Sequence, residues 1–425
     1  MPDYKKKRIN RFKPAPRRKR ALPTDEDIKM TPADKRRKKS EKPEKAPEMP
    51  LRVVNGKKLE RRRKTGMFFS VALIIALILT VFQLVLPAGI TENTENLISL
   101  IGKGSYPISL ESTETQSAVS RGSYYYVLTD TRLNAFANGG KEIYSHSHGF
   151  ENPVMKTSST RALVFDQGGN EAYIYNLHEL KSSINSDAEI INAAVSDSGV
   201  YAVVTRSESY ASVVTVYSKR GKKIYTWYSS ADTVNNVAVA PNGKKIAVST
   251  FNSTNGKFVS KICILNFDSA NPISSVDVEG GPVITLNSFH RTGFIAATEN
   301  KLYFINWSGK NNTEYKNDYT LSRLSAGTGG TVAVFNREND RADNRIVLFG
   351  TNGQLKKEFK GTVGDIAVSG GHIYCISDTE VFLYGSDGKL LRKAECGFGG
   401  VKIAPLGRTH AAVITDNRID KIKFE

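Results

Sequence analysis

Residues 239–248 read Val-Ala-Pro-Asn-Gly-Lys-Lys-Ile-Ala-Val, with an apolar run on each side of an Asn-Gly pair. Short runs rich in β-branched residues are typical of strands. An Asn-Gly pair suits a tight turn that needs positive φ angles. The stretch therefore predicts a β-hairpin, and the fold follows from how often this unit returns.

The hairpin unit recurs along the chain. Further copies lie at residues 118–127, 155–165, 194–203, 287–298, 324–335, 366–376 and 403–415, and the copy at 155–165 lacks a glycine. A second hairpin follows the first, most clearly at residues 214–225, 346–355 and 381–390. Two hairpins in about 40 residues make a four-stranded antiparallel unit, which is the blade of a β-propeller.

The number of hairpins predicts about eight blades, with seven as the alternative because the copy at 155–165 is weak. The last unit ends one strand short, at residue 425, while residues 106–110, Tyr-Pro-Ile-Ser-Leu, form a spare strand-like run before the first unit. We expect this run to complete the last blade, because closing the ring removes exposed sheet edges.

These repeats resemble the blades of the WD-repeat-like and quinoprotein-like β-propeller superfamily in a degenerate form. Residues 239–247 resemble the inner-strand turn of many bacterial propellers, but the Trp-Asp signature is missing, since Trp227 and Trp307 precede Tyr and Ser. The whole chain resembles bacterial membrane-anchored propeller proteins of a domain-of-unknown-function family. The resemblance covers residues 105–425, and it implies a fold rather than an activity.

The charge of the chain is unevenly distributed. Its net charge is +18, and residues 1–64 hold 25 Lys and Arg against 9 Asp and Glu, a net of +16. Eight of the 15 prolines also fall in the first 50 residues. Such a composition predicts a disordered basic tail. The rest of the chain carries only +2, which argues against a nucleic-acid-binding fold that is basic throughout.

Residues 65–91 contain no charged side chain. Two dozen apolar residues span roughly 36 Å as a helix, enough for a hydrocarbon core of about 30 Å. The preceding segment is too long for a signal peptide, and residues 86–88, Leu-Pro-Ala, make a poor cleavage site. Because Arg61, Arg62, Arg63 and Lys64 precede the helix, the N-terminus is predicted to be cytoplasmic.

The predicted organisation is a disordered cytoplasmic tail at 1–64, a transmembrane helix at 65–90, a stalk at 91–105 and an extracytoplasmic propeller at 106–425. This places the protein in the plasma membrane with a single span. The basic cluster at residues 61–64 is expected to contact anionic lipid headgroups. Runs of Lys and Arg also neutralise nucleic-acid phosphates, but tethering at the membrane favours lipid as the partner.

The sequence contains no catalytic or cofactor signature. Nucleophile-elbow, zinc-protease and phosphate-loop motifs are missing, as are the stacking tryptophan and carboxylate cluster of quinoprotein enzymes. His146 and His148 would share a strand face and could begin a metal site, but no third ligand is identifiable. The other four histidines are interpreted as structural or exposed. Cys263, Cys375 and Cys396 are interpreted as free thiols. We predict no enzyme activity, no cofactor and no metal.

Three blades are predicted to lengthen the same connection, between their second and third strands, at residues 206–212, 251–261 and 337–345. Such connections emerge on one face of a propeller, and loops that grow on one face suggest a binding surface. The candidate binding residues are Tyr210, Phe251, Phe258, Arg337, Asp340, Arg341 and Arg345.

The predicted function is that of a non-catalytic binding or scaffold module for an envelope protein or polymer. One alternative is a transmembrane sensor that links external binding to a cytoplasmic partner of residues 1–64. The other is an external cofactor-dependent propeller enzyme. The sequence leaves the ligand and the oligomeric state open.

Overall fold

The computed structural model describes residues 69–70, 73–74, 98–102, 104–112, 114–290, 292–310, 312–327, 329–337, 340–397 and 399–425. The predicted tail at 1–64 lies outside this part of the chain, as does most of the predicted membrane helix at 65–90. Phe69, Ser70, Leu73 and Ile74 have helical backbone conformation. None of the helices among the described residues has the length and apolar character needed to cross a bilayer.

The chain divides into two compact units, Met1–Val81 and Phe82–Glu425. The described residues of the second unit form 32 strands in eight four-stranded antiparallel sheets. The first strand, β1 (Ile108–Ser109), belongs to the last sheet. Every other sheet takes four consecutive strands, so each is one blade.

Blades 1 to 4 run from residue 115 to residue 278. Blade 1 contains β2 (Thr115–Ser120), β3 (Tyr124–Thr129), β4 (Arg132–Ala137) and β5 (Glu142–Ser147). Blade 2 contains β6 (Pro153–Thr157), β7 (Ala162–Asp166), β8 (Glu171–Tyr175) and β9 (Leu180–Asn185). Blade 3 contains β10 (Ile190–Val195), β11 (Tyr201–Thr205), β12 (Ser212–Tyr217) and β13 (Lys223–Ser229). Blade 4 contains β14 (Thr233–Val239), β15 (Lys245–Thr254), β16 (Lys257–Asn266) and β17 (Ser274–Val278).

Blades 5 to 8 complete the ring. Blade 5 contains β18 (Thr285–His290), β19 (Gly293–Ala297), β20 (Lys301–Asn306) and β21 (Thr313–Lys316). Blade 6 contains β22 (Thr320–Gly327), β23 (Gly330–Arg337), β24 (Asp340–Phe349) and β25 (Leu355–Gly361). Blade 7 contains β26 (Asp365–Ser369), β27 (His372–Ile376), β28 (Glu380–Tyr384) and β29 (Leu390–Glu395). Blade 8 contains β30 (Lys402–Pro405), β31 (His410–Ile414), β32 (Arg418–Lys423) and β1.

Blade 8 joins the two ends of the propeller. β1 pairs antiparallel with β32, with Ile108 opposite Ile419, and the backbone N–H of Leu110 donates to the carbonyl of Asn417 at 2.8 Å. The predicted closure by residues 106–110 is therefore confirmed, and so is the count of eight blades. The weak copy at 155–165 is the hairpin of β6 and β7.

The hydrophobic core is divided into eight clusters, one between each pair of neighbouring blades. Alternation along the strands produces this pattern, because successive side chains point to opposite faces of a sheet. On β11, Tyr201 and Val203 pack toward blade 2, whereas Ala202 and Val204 pack toward blade 4. A strand covered on both faces is apolar at every position, which explains the short continuous apolar runs of the sequence.

Two of the three predicted loop insertions are wrong in their secondary structure. Residues 251–261 belong to β15 and β16, which continue as a paired hairpin to a two-residue turn. Asn255 and Gly256 form that turn with φ angles of 52° and 72°. Two positive φ angles match the twist of the flanking strands, so the strands continue instead of opening into a loop. β23 and β24 likewise extend through most of 337–345, and only 206–211 is an irregular connection.

Candidate functional site

The connections between second and third strands emerge on one face of the ring, because the four strands of each blade alternate in direction. We call this the loop face and define it by residues 206–211 of blade 3, 251–260 of blade 4 and 337–345 of blade 6, together with Tyr228 of the outer strand β13, whose ring packs against Tyr210. It contains all seven predicted binding residues. Their surroundings differ from blade to blade.

The blade 3 part of the loop face presents two tyrosines. Tyr210 is 42% exposed and Tyr228, on the outer strand β13, is 54% exposed. Their rings pack against each other with centroids 4.7 Å apart. Ser207 Oγ accepts hydrogen bonds from the backbone N–H groups of Ser209 and Tyr210, both at 3.2 Å. The connection is thus held in one shape with its aromatic side chain exposed to solvent.

The blade 4 part is the protruding tip of a hairpin. Phe251 is half-buried and lies opposite Thr233 of β14 on one side and Ser260 of β16 on the other. Beyond this pair, the two strands are paired only with each other among the described residues. Phe258 on the tip is 63% exposed, and its neighbour Val259 is 42% exposed. The tip therefore offers apolar side chains to a partner.

The tip lies next to the connection between blades 3 and 4. Asn252 Nδ2 donates to Asp232 Oδ1 at 3.1 Å, and Asp232 belongs to that connection. Tyr210 belongs to blade 3, and Phe251 and Phe258 belong to the adjacent blade 4.

The blade 6 part is polar and partly engaged within its own surroundings. The guanidinium of Arg345 lies 4.1 Å above the ring of Tyr319, and its Nη1 is 3.5 Å from Glu358 Oε1. Arg337 is exposed at the end of β23, opposite Asp340 in the backbone register. The side chains of Asp340 and Arg341 lie outside the described structure. Blade 5 separates this group from the aromatic residues of blades 3 and 4.

A second candidate site is the central channel, which sequence reasoning missed. A cavity of about 370 Å³ is lined by the first strands of all eight blades. Its charged lining residues are Arg121, Lys156, Asp365 and Lys402. One signal was available in the sequence, because a lysine inside an inner strand, as at position 156, is unusual where most neighbours are apolar.

The end of the channel nearer the loop face pairs opposite charges. Asp365 begins β26 and Lys402 begins β30, so both lie at the start of their inner strands. Asp365 Oδ2 accepts a hydrogen bond from the backbone N–H of Ile403 at 3.0 Å. Burial raises the pKa of the Asp365 carboxyl, and this hydrogen bond and the positive charge of Lys402 partly oppose the rise.

The opposite end is positively charged. Lys156 is the fourth of the five residues of β6, and Arg121 directly follows β2. Arg121 Nε donates to the carbonyl of Ser158 at 2.8 Å, and its Nη2 donates to the carbonyl of Thr157 at 3.3 Å. Arg121 thereby links blade 1 to blade 2. Burial lowers the pKa of this guanidinium, and the nearby Tyr124, Tyr126 and Asp197 partly oppose the change.

Lys156 differs from the other charged lining residues. It is half-buried, and burial lowers the pKa of its ammonium group without an opposing contribution. Arg121, Asp365 and Lys402 each have a hydrogen bond or an opposite charge nearby. Within the described part of the chain, no hydrogen bond or ion pair involves Lys156 Nζ.

The histidines and cysteines have structural surroundings. The hydroxyl of Tyr175 and Nδ1 of His146 are hydrogen-bonded at 2.9 Å. His148 Nδ1 accepts from the backbone N–H of Phe150 at 3.1 Å. The three thiols are free, and only Cys375 is buried, whereas Cys263 and Cys396 are half-buried. The described residues contain no group of three or more His, Cys, Asp or Glu that could hold a metal ion.

The closed ring of eight four-stranded blades defines the class of this protein as a β-propeller. A family described as "Family of unknown function (DUF5711)" matches residues 103–424, and the chain belongs to it. This confirms the predicted membership of a propeller family without assigned function. No sequence among the curated proteins matches the chain.

Several solved structures have a similar fold at low sequence identity. BamB from Moraxella catarrhalis is 10% identical with a TM-score of 0.48, and the match covers 76% of this chain and 99% of that one. The computationally designed Ika8 protein is 11% identical with a TM-score of 0.51, covering 74% and 98%. The Cps50 (Swd1) β-propeller domain from Myceliophteria thermophila is 12% identical with a TM-score of 0.43, covering 74% and 97%. At these identities the likeness concerns the fold alone.

Proposed function

We propose that the chain is a single-pass membrane protein whose extracytoplasmic propeller is a non-catalytic binding module for an envelope protein or polymer. The observation that carries the proposal is the aromatic part of the loop face. Tyr210, Tyr228 and Phe258 are each more than 40% exposed and lie on adjacent blades. Exposed apolar side chains that cluster, rather than occur singly, mark interaction sites.

The aromatic side chains are suited to binding because they are large and already ordered. Tyrosine and phenylalanine bury a large area for few rotatable bonds, and aromatic residues dominate the energetics of protein interfaces. The contact between the rings of Tyr210 and Tyr228 restricts both side chains before any partner arrives. Binding then loses less side-chain entropy, which favours affinity.

The ring supports this surface rigidly. Eight interblade clusters and a closed strand order connect every blade to two neighbours. A partner that contacts blades 3 and 4 together meets side chains at fixed spacing. A scaffold needs binding side chains at fixed positions. Such a role requires no catalytic residue.

The location within the envelope is supported by the sequence. Residues 1–64 carry a net charge of +16, and residues 65–91 carry none. A charge-free segment of this length after a basic cluster is typical of a membrane span with a cytoplasmic N-terminus. The cluster of Arg61, Arg62, Arg63 and Lys64 then meets anionic headgroups at the inner surface.

Site-specific photo-crosslinking tests the binding surface in the full chain within its own membrane. A photoreactive residue replaces Phe258 or, as a matched control, Leu355, which is 49% exposed on the outer strand of blade 6. We expect one discrete crosslinked product at position 258 and none at 355. The product should disappear when Tyr228→Ser is added. Equal crosslinking at both positions, or none at 258, contradicts the proposal.

Labelling with a membrane-impermeant maleimide tests the location. Ser209→Cys places a thiol on the loop face, and Ser40→Cys places one in the basic tail. In intact cells we expect labelling at position 209 and not at 40, with both labelled after permeabilisation. Labelling of position 40 in intact cells contradicts the proposed orientation.

A further inference from the structure

The two ends of the central channel differ in charge, and the difference singles out one residue. At the end nearer the loop face, Lys402 has the carboxylate of Asp365 beside it. At the other end, Lys156 and Arg121 line the cavity, and the four charged lining residues include only one acid. The positive charge at this end is therefore not balanced within the lining.

Arg121 contributes charge at this end but is already engaged through hydrogen bonds. Its Nε, Nη1 and Nη2 donate to the backbone carbonyls of Ser158, Ser120 and Thr157, and Nη2 also contacts Thr157 Oγ1. A guanidinium has five N–H groups, so most of them are used. Arg121 thus supplies an electrostatic field more than free donors.

Lys156 differs from Arg121 in the hydrogen bonding of its donors. Its ammonium group has three donors, and none of them meets an acceptor among the described residues. Holding a partly desolvated charge without a partner costs free energy, and proteins usually pair such groups or bind an ion with them. Lys156 is therefore a site where an anionic ligand would recover the lost interactions.

The neighbouring side chains leave room for a ligand of limited size. Ala194, Ala238, Ala326 and Ala367 line the same cavity. Its volume of about 370 Å³ lies near the lower limit of small-molecule sites, which begin at roughly 300 Å³. A ligand with one charged group fits this space, whereas a folded protein does not.

We propose that the central channel binds a small molecule with a phosphate or carboxylate group, whose oxyanion accepts hydrogen bonds from Lys156 Nζ in the positive field of Arg121. Such charge-assisted hydrogen bonds are among the stronger polar contacts in proteins. The site is separate from the aromatic residues of the loop face and needs no contribution from them. The inference therefore stands independently of the proposed scaffold role.

Calorimetric titration of the purified full chain in detergent tests the site. Inorganic phosphate and succinate serve as separate probes in a buffer free of other oxyanions. The test variant is Lys156→Met, which keeps most of the length of the side chain but removes its charge. The control is Lys222→Met, which removes the same charge from an exposed turn outside the channel.

We expect saturable binding of at least one probe to the unmodified chain at one site per molecule. Lys156→Met should weaken it about tenfold or more, as loss of a hydrogen bond to a charged group does. Lys222→Met should change it by no more than about twofold, because exposed charges more than a Debye length apart are screened. Binding of phosphate alone assigns a phosphoryl ligand, and binding of succinate alone assigns a carboxylate. Absence of saturable binding for both probes overturns the proposal, and so does equal binding by Lys156→Met.

Thermal unfolding gives a second measurement that does not depend on measurable binding heats. Without probe, Lys156→Met should unfold at a higher temperature than the unmodified chain, because an unpaired charge has been removed. With probe, only the unmodified chain and Lys222→Met should gain stability, since a ligand stabilises the state that binds it. If Lys156→Met fails to fold, Lys156→Gln replaces it. A probe-induced rise that persists in the position 156 variant contradicts the site.

Discussion

The interface between blades 3 and 4 and the interface between blades 8 and 1 join neighbouring blades in different ways. Blades 3 and 4 are connected by residues 230–232. Blades 8 and 1 bring together distant parts of the chain, as when Thr115 Oγ1 donates to the carbonyl of Thr415, 300 residues away, at 2.9 Å. We call the second interface the seam.

The two interfaces nevertheless have the same kind of core. Val204, Val237 and Ile246 pack between blades 3 and 4, while Tyr125, Phe136 and Ile419 are among the residues that pack between blades 8 and 1. The polar connections differ. Asn192 Nδ2 donates to Asn236 Oδ1 at 3.0 Å between blades 3 and 4. At the seam, Ser120 Oγ donates to the carbonyl of Pro405 at 2.9 Å, and at the neighbouring interface the carboxylate of Asp365 links blades 7 and 8.

Apolar packing alone makes the blades equivalent, whereas closure of the ring carries an additional requirement. Bringing together chain ends that are far apart costs entropy that grows slowly with loop length. At the seam, β1 meets this requirement with two paired residues and the side chains around them. The largest difference between the interfaces should therefore appear when β1 is removed.

Deletion of residues 105–112 should have the largest effect. It removes the outer strand of blade 8 together with Tyr106, Ile108 and Leu110, which pack in the seam cluster. At about 1.5–3 kcal/mol for each apolar side chain, the free energy of unfolding should fall by roughly 5 kcal/mol or more. Urea unfolding of the full chain and the variant measures this change.

The matched control shortens the hairpin tip of blade 4. Deleting residues 252–254 and 257–259 leaves Phe251 opposite Ser260 with the Asn255-Gly256 turn between them. This control should lower the stability by no more than about 1 kcal/mol, because exposed residues contribute little. Equal losses in the two variants would show that closure by β1 is not important.

Truncation of one buried isoleucine at each interface should give the next largest effect. Ile246 and Ile419 are both fully buried, so Ile246→Ala and Ile419→Ala should each cost about 2–5 kcal/mol. Equal losses in urea unfolding are expected if the seam is packed as well as an interior interface. A much smaller loss for Ile419→Ala would indicate a loosely packed seam.

Removal of the buried Asn236 amide, at the interface between blades 3 and 4, should lower the stability by a smaller amount. Asn236 is buried, accepts from Asn192 and donates from Nδ2 to the carbonyl of Val283 at 2.8 Å. Asn236→Ala should cost about 1–3 kcal/mol, since it leaves buried polar groups without partners. The loss should be the same at pH 5 and pH 8, because no group in this link titrates. A loss that varies with pH would contradict this account.

Substitution of Asp365 should give the smallest effect, and one that depends on pH. Burial raises the pKa of this carboxyl above its ordinary value of 3.8, so ionisation is less favourable in the folded chain. Stability is therefore lost as the pH rises from below 3.8 through the folded-state pKa. The charged groups that oppose the shift are Lys402 and Arg323.

Asp365→Asn removes the ionisation and keeps an oxygen that can accept from the N–H of Ile403. The variant should be slightly more stable than the unmodified chain at pH 7, and the difference should vanish below pH 3.8. Thermal unfolding at a series of pH values measures this. A variant that is less stable at pH 7 would show that the charge of Asp365 stabilises the blade.

Much of the fold could be predicted from the sequence because its signals are local. Turns such as Asn242-Gly243 and short apolar runs identified the hairpins, and their recurrence predicted the blades. Even the weak copy at 155–165 was correctly placed. The hairpin tip around Asn255 was mistaken for a loop, because strand pairing beyond the ring has no buried face to produce an alternating apolar pattern.

The candidate sites were less predictable. The exposed aromatic residues Tyr210 and Phe258 were found through the lengthened connections, but Tyr228 was missed because it lies on an outer strand with mixed polarity. Arg345 was predicted to be a binding residue from its position in a lengthened connection, and its contacts with Tyr319 and Glu358 were not predicted. Such contacts join residues that are distant along the chain, and no local pattern reports them.

The sequence by itself predicted the β-propeller, its closing strand and about eight repeats with seven as the alternative, since turn residues and apolar spacing act within a few residues of each other. The structure decided the count of eight. Only the tertiary structure decided the character of the channel. Lys156, Arg121, Asp365 and Lys402 come from four different blades. The physical reason is that electrostatic interactions act through space. Whether a lysine is paired depends on the side chains that folding brings near it, not on its neighbours in sequence.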